Sequence, residues 1–235
     1  MWRLTQPQLT PIIDALLAYG ARPILVGGAV RDHLLGLPFH EADIEVFGLN
    51  DVAELAQILL AFGTLDERGR DFGVLGIKGR HAQFGLPRQE HKTGEGYRGF
   101  EVIINGKLNY KTAAKRRDFT LNSMGLDLAT DELLDPYGGQ VDLAAKTLRH
   151  ISPAFTEDPL RVLRAVQLAA RFDLTLAPET LTCCQAMAPH LQELNPAHMR
   201  AEILKAKGAP FPDRGRAVMV QTGIAAAYPE LLALL

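Results

Sequence analysis

Val26-Gly27-Gly28-Ala29-Val30-Arg31-Asp32, followed by His40-Glu41-Ala42-Asp43-Ile44-Glu45-Val46, constrains this chain more than any other stretch. The apolar run Ile24 to Val26 predicts a strand that ends on a double glycine. The pattern from Ala29 to Leu35, stopped by Gly36, predicts a short helix. A strand, a glycine turn and a helix start aim backbone N–H groups at one point, an arrangement suited to an anion. Glycine is needed there because a Cβ would hold a phosphate away from the backbone. Arg31 adds a forked donor matched to phosphate oxygens.

The second half of the stretch supplies the opposite charge. Residues two apart on an extended segment share a face, so Glu41, Asp43 and Glu45 line one side of a predicted strand. Carboxylates crowded in this way raise each other's pKa unless a cation lies between them. Mg²⁺, held by one or two carboxylates and by substrate phosphates, is the natural occupant. A Gly-Gly turn alone is ordinary strand–helix geometry, and an acidic pair alone is an ordinary solvated strand face. The two in this order predict nucleotidyl transfer.

At 235 residues and 47% hydrophobic, the chain can bury one good core and a small second one. Its net charge of −2 excludes a globally basic protein, so any nucleic-acid footprint must be local. Cys183 and Cys184 are adjacent and there is no CxxC or His/Cys ladder, which points to a reducing compartment and away from structural zinc. No apolar run approaches a membrane span, so no membrane contact is expected. The N-terminus lacks a signal-peptide pattern, and the expected location is the cytoplasm.

Thr10-Pro11 with Ile12, Ile13, Leu16 and Leu17, closed by Gly20, predicts a first helix capped by Thr10. Asn50-Asp51 predicts the cap of another, from Val52 to Ala61. Segments 72–77, 82–84 and 100–104 read as strands, with Lys78-Gly79-Arg80 a turn. Pro87 to Gly99, carrying Arg88, Glu90, Lys92 and Arg98, reads as a polar mobile loop. Lys111, Lys115, Arg116 and Arg117 gather basic charge ahead of Asp118-Phe119-Thr120-Leu121-Asn122, a candidate anion contact. Asp135 to Gly139 is a turn before a short helix, and 147–151 a last extended piece. After Ser152 no strand pattern remains, and helices are predicted over 153–172, 178–187, 196–205 and 214–222. The predicted organisation is an α/β head over 1–150 and a helical part over 151–235.

Three motifs in order resemble the class II tRNA nucleotidyltransferase (CCA-adding enzyme) and bacterial poly(A) polymerase family. They are Gly27-Gly28-Ala29-Val30-Arg31-Asp32 with Leu34-Leu35-Gly36, then Arg116 to Asn122, then Glu157-Asp158-Pro159-Leu160-Arg161 with Arg164. The resemblance covers nearly the whole chain. It implies an α/β nucleotidyltransferase head, a DNA polymerase beta-like mixed sheet with helices, followed by an all-helical neck and body segment that binds the nucleotide base and RNA. By the same resemblance Gly27, Gly28 and Arg31 hold the triphosphate, and Arg117, Asn122 and Arg164 contact the nucleotide. Glu41 and Asp43 are the implied catalytic residues and Mg²⁺ ligands.

Asp158 and Arg161 would read the base, since aspartate accepts and arginine donates and together they imitate a Watson–Crick edge. An i, i+3 ion pair on a helix surface is the plainer reading of those two. The implied reaction is attack of a tRNA 3′-hydroxyl on the α-phosphorus of CTP or ATP, with the tRNA 3′ end, CTP and ATP as partners. A poly(A) polymerase shares these motifs, and a catalytically weak RNA- or nucleotide-binding member is a further alternative. Three features depart from the family pattern. Glu41 stands where Asp is usual, with Glu45 or Glu90 as possible further carboxylates, and Gln167 stands where an arginine is common. The chain also stops soon after Tyr228-Pro229-Glu230, where relatives continue into further helices. A compact member, a fragment or a protein needing a partner is expected.

Overall fold

A computed structural model describes residues 7–92 and 100–235, without the side chains of 90–92 and 100–102. The chain forms two compact units. Among described residues, the first draws on 7–92, Phe100–Arg116 and Asn122–Tyr137, and the second on Arg117–Leu121 and Gly138–Leu235.

The first unit opens with helix α1 (Thr10–Ala18), strand β1 (Arg22–Val26), helix α2 (Gly28–Leu34), strand β2 (Ala42–Phe47) and helix α3 (Val52–Leu59). Thr10 is not the cap of α1. A 3₁₀ turn at Pro7–Leu9 leads straight into the helix, so the capping position falls on Leu9. The cap of α3 is as predicted: Asp51 accepts from the backbone N–H groups of Ala53 and Glu54 at 2.8 and 3.0 Å.

Strands β3 (Leu65–Asp66), β4 (Val74–Ile77) and β5 (Ala82–Gly85) follow, then β6 (Arg88–Lys92) and β7 (Phe100–Ile104). Arg88–Lys92, expected within a loop, is instead an antiparallel partner of β7. The remainder of that loop, 93–99, lies outside the described residues. Helix α4 (Tyr110–Ala114) and short strands β8 (Gly125–Asp127) and β9 (Leu133–Leu134) complete the unit.

Seven strands make one sheet in the order β3-β4-β5-β2-β1-β8-β9, in which β2 and β5 run parallel and the other pairs antiparallel. Its register explains both the core and the site. One row, Leu126-Leu25-Ile44-Phe84-Leu75, crosses five strands, and each of its residues is buried. Helices α1 and α3 pack against β1, β4 and each other. The neighbouring row, one residue along each strand and so on the opposite face, reads Gly125-Val26-Asp43-Gln83-Gly76-Asp66. At one end this face is covered by α4, whose Tyr110, Ala113 and Ala114 pack on Ile24, Val26 and Phe47. Toward Asp43, Gln83 and Asp66 it is polar.

The second unit begins with helix α5 (Gly139–Ala144) and strand β10 (Thr147–Leu148). A 3₁₀ turn at Pro153–Glu157 leads to α6 (Leu160–Phe172). Strand β11 (Thr175–Leu176) pairs in parallel with β10, so one short strand does occur after Ser152. Then come α7 (Pro178–Met187), α8 (Pro196–Leu204), α9 (Pro212–Gln221), α10 (Ile224–Ala227) and α11 (Pro229–Leu232). Helix α6 is the centre, packed by α8 and α9 and buried nearly all round from Ala165 to Ala170. Close approach of α9 is possible because Gly215 meets α6; a Cβ there would lie 3.0 Å from the Ala170 Cβ. Among the described residues no helix is long and apolar enough to cross a membrane.

Candidate active site

Antiparallel pairing of β1 with β2 sets Val26 opposite Asp43, so the glycine turn and the acidic segment meet at one end of the sheet. Gly27 has φ 74° and ψ −134°, a conformation open in practice only to glycine. At Gly28 space is tight: a Cβ there would lie 3.3 Å from Arg31 Nη2.

Arg31 is 4% exposed. Its Nη1 donates to Asn122 Oδ1 at 2.6 Å, and its Nε and Nη2 donate to Asp32 Oδ1 at 2.9 and 2.6 Å. The guanidinium thus braces the glycine turn from beneath and fixes Asn122, ninety-one positions away, to the same spot.

Glu41 and Asp43 are exposed and flank buried Ala42, as the two-residue period requires. Glu45 shares their face but is 3% exposed and accepts from Arg116 Nη2 at 3.0 Å. That ion pair gives Glu45 and Arg116 a structural engagement with each other. Lys111 and Lys115 remain on the surface of the same unit. Among the described residues no group of three His, Cys, Asp or Glu side chains gathers as a metal site, and the Glu90 side chain lies outside them.

Arg117, Asp158, Arg161 and Arg164 belong to the second unit. Asp158 is not in a helix. It is extended, with φ −129° and ψ 104°, because the following Pro159 disfavours the helical region for the residue before it. Its Oδ1 accepts from the Leu160 N–H at 2.9 Å, just ahead of α6, whose capping position is Pro159. Arg161 Nη1 donates to the Ala154 carbonyl at 2.8 Å, and its Nε stands 4.0 Å from Asp158 Oδ2. The two side chains are therefore each held by backbone, and only loosely by each other.

Arg164 is fixed by a residue that sequence reasoning placed in a motif without a role. Its Nε donates to Asp118 Oδ2 at 2.7 Å, while Asp118 Oδ1 accepts from the Phe119 N–H at 2.8 Å. The Asp118 carboxylate pushes the Arg164 pKa up, against the opposing effect of burial. Gln167 is 4% exposed and accepts from Arg171 at 3.4 Å, so it faces helix packing.

The mixed sheet with its glycine turn and carboxylate strand, and the helical segment after it, make up the polymerase beta-like nucleotidyltransferase head fold with a mainly helical second part. Residues 24–149 match the Poly A polymerase head domain. The chain belongs to the family of class II tRNA nucleotidyltransferases and bacterial poly(A) polymerases.

It is 42% identical over 210 residues to the multifunctional CCA protein of Nitrosococcus oceani, a match covering 88% of this chain and 50% of that protein. Among solved structures it is similar to the CCA-adding enzyme of Bacillus stearothermophilus in complex with CTP, with 27% identity and a TM-score of 0.80. That match covers 98% of this chain and 55% of the other. The Thermotoga maritima CCA-adding enzyme complexed with tRNA is similar at 25% identity and a TM-score of 0.74, covering 95% of this chain and 53% of the other. The chain thus spans about half the length of the curated relatives it matches.

Proposed function

We propose that this chain carries out template-independent nucleotidyl transfer, adding CMP and AMP from CTP and ATP to the 3′ end of tRNA. The observation that carries the reading is the placement of two exposed carboxylates, Glu41 and Asp43, beside the glycine turn through the Val26–Asp43 register. The proposal extends to Asp158, Arg161, Arg164 and Arg117 as nucleotide contacts, and to a division into a catalytic head over 1–150 and a base- and RNA-binding part over 151–235. The cytoplasm is the proposed location.

The donor set fits Mg²⁺. Two exposed carboxylates without a third ligand, among the described residues, leave coordination positions for substrate phosphates, which is how this ion is usually held. When bound, the ion supplies charge neutralisation on the phosphoryl oxygens and a lowered pKa for a coordinated hydroxyl. The chain's own residues do the rest. Glu41 and Asp43 hold negative charge facing solvent, and the Gly27-Gly28 turn admits a phosphate to the backbone. Arg31 keeps that turn in shape through Asn122. Asp158 and Arg161 offer an acceptor and a donor to the base edge. The 3′-hydroxyl gives up its proton to solvent, and its oxygen forms a bond to the α-phosphorus as the bond to pyrophosphate breaks.

The test is incorporation of labelled CTP and ATP into tRNA lacking its 3′ end, with Mg²⁺ present or chelated. A short, defined C- and A-containing tail is the expected result. Long A-tails would assign poly(A) synthesis instead, and no incorporation beside intact CTP binding would make the chain a nucleotide-binding module.

A further inference from the structure

Arg161 sits on the first turn of α6, but the 3₁₀ turn Pro153–Glu157 supplies the oxygen that receives it. Its Nη1 donates to the Ala154 carbonyl at 2.8 Å. That carbonyl and the Phe155 N–H are the two sides of one planar peptide unit. The Phe155 N–H in turn donates to the Ser152 carbonyl at 3.0 Å. Whatever fixes Phe155 therefore also orients the oxygen that meets the guanidinium.

Rings fix Phe155 on two sides. It is 1% exposed, and its ring meets that of Phe119 edge-on, with centroids 5.4 Å apart. The His150 ring lies at the same distance, tilted by 49°. Phe119 and His150 are held together by an antiparallel bridge. Across it the Thr120 N–H donates to the Arg149 carbonyl at 2.9 Å, and the Ile151 N–H to the Asp118 carbonyl at 3.3 Å. Tilted and edge-on ring pairs contribute beyond the area they bury, and they favour particular orientations.

His150 is anchored in turn by buried Thr180 of α7. Thr180 Oγ1 accepts from the His150 backbone N–H at 3.0 Å and lies 2.9 Å from its Nδ1. The hydroxyl still has a proton to give, and a neutral imidazole protonated on Nε2 takes it. An imidazolium would instead present a second donor to the same oxygen. The carboxylates on neighbouring elements are engaged by other cations: Asp142 of α5 and Glu179 of α7 by Arg149, and Asp118 by Arg164. Arg149 itself sets a like charge beside His150.

We infer that Phe155, seated between Phe119 and a neutral His150, is a positioning residue for base selection that aims Arg161 through the Ala154 carbonyl; this rests on the proposed role of Arg161 at the base.

A double-mutant cycle separates aiming from packing. Equilibrium titration with CTP needs no turnover. Phe155→Leu should raise the CTP dissociation constant about fivefold, roughly the net worth of one hydrogen bond, and move the UTP constant less. Arg161→Ala should raise it at least as much, and adding Phe155→Leu to that variant should change nothing further. Multiplying losses, or equal losses for CTP and UTP, overturn the inference. Where Phe155→Leu does not fold, Thr180→Val, which removes the hydroxyl behind His150, runs the same cycle with the same expectation. Between about pH 7.5 and pH 5.5 the parent should lose CTP affinity more steeply than His150→Gln, whose amide does not titrate; parallel profiles overturn the seat at His150. Coupling between Phe155 and Arg161 in a protein that incorporates no nucleotide would sink the transfer reading and keep Phe155 in its role. Incorporation with multiplying losses would do the reverse.

Discussion

Asp118 and Arg164 meet at 2.7 Å across forty-six positions of sequence, one carboxylate oxygen on the guanidinium and the other on the Phe119 backbone. The pair fastens the segment Arg117–Leu121 to helix α6, within one compact unit. Asp118 is 6% exposed, and these two bonds help to hold its charge. Asp118→Ala should cost about 2 kcal/mol, the usual worth of a hydrogen bond to a charged group. Asp118→Asn should recover part of it. Urea unfolding of the three proteins checks this, and an unchanged midpoint in the alanine variant would show that the pair contributes nothing.

Glu41 and Asp43 face solvent, so replacing either removes charge without opening the core. Asp43→Ala should abolish nucleotide incorporation at an unchanged melting temperature. Glu41→Ala should do nearly the same, and Glu41→Asp should retain or raise activity. Isothermal titration with Mn²⁺ gives a reading apart from turnover, in which both alanine variants should lose the binding seen in the parent. Full turnover by Glu41→Ala would reassign the ligands.

The glycine turn makes a sharper stability prediction. At Gly27 an alanine would have to occupy φ 74° with ψ −134°, a strain of about 1–3 kcal/mol. At Gly28 the added methyl needs only a few tenths of an ångström from the Arg31 guanidinium. Gly27→Ala should therefore lower the unfolding free energy clearly. Gly28→Ala should chiefly weaken CTP binding. Equal stability losses in both variants would contradict the separation.

His150 gives a pH dependence whose sign is fixed. Its Nδ1 and backbone N–H both meet Thr180 Oγ1, at 2.9 and 3.0 Å, and its ring lies 5.4 Å from that of Phe155. Burial, aided by the neighbouring Arg149 charge, pushes the imidazole pKa below its ordinary 6.5. The unfolded chain then binds the proton more readily than the folded one, so this contribution to stability is present above about pH 6.5 and declines as pH falls. Thermal melts should show His150→Gln less sensitive than the parent between about pH 7.5 and pH 5.5. Parallel curves would remove His150 from the account.

Base selection tests the second unit. Asp158 is set by the Leu160 N–H and Arg161 by the Ala154 carbonyl, so each can be removed with the other still in place. Cytosine and adenine present an exocyclic amine where uracil and guanine present a carbonyl. Asp158→Ala should therefore raise UTP or GTP use relative to CTP and ATP by roughly one decade, the value of one missed hydrogen bond. Arg161→Ala should mainly weaken CTP and ATP. Unchanged ratios among the four nucleotides would leave these residues as helix-end structure.

Much of this was readable in the sequence, and the exceptions share a cause. The turn, the carboxylate strand and most long helices carry local signals: glycines at positive φ, side-chain caps, apolar periods. Strand β8 has none. It is three residues long, and its Gly125 is dictated by remote neighbours, since any Cβ there would collide with Tyr110 and Ile24. Arg88–Lys92 contains no apolar residue, and only its pairing with Phe100–Ile104 makes it a strand. The Pro159 that ends the turn before α6 was visible, but a helical reading of 153–172 passed over it.

The register that places Asp43 between Val26 and Gln83 also has a consequence for how this protein fails. Slipping β2 by one residue would turn Asp43 and Glu45 toward the layer occupied by Leu25, Phe84 and Leu75, and move Ile44 and Val46 onto the face now held by Asp43, Glu45 and Phe47. Two uncompensated carboxylates in an apolar layer are far costlier than the sheet can bear. A shifted molecule would thus come apart and could not persist as an intact but inert species. In a refolded sample, loss of the surface carboxylate pair by this route would be seen as unfolded or aggregated protein, and the surviving compact fraction would all display it.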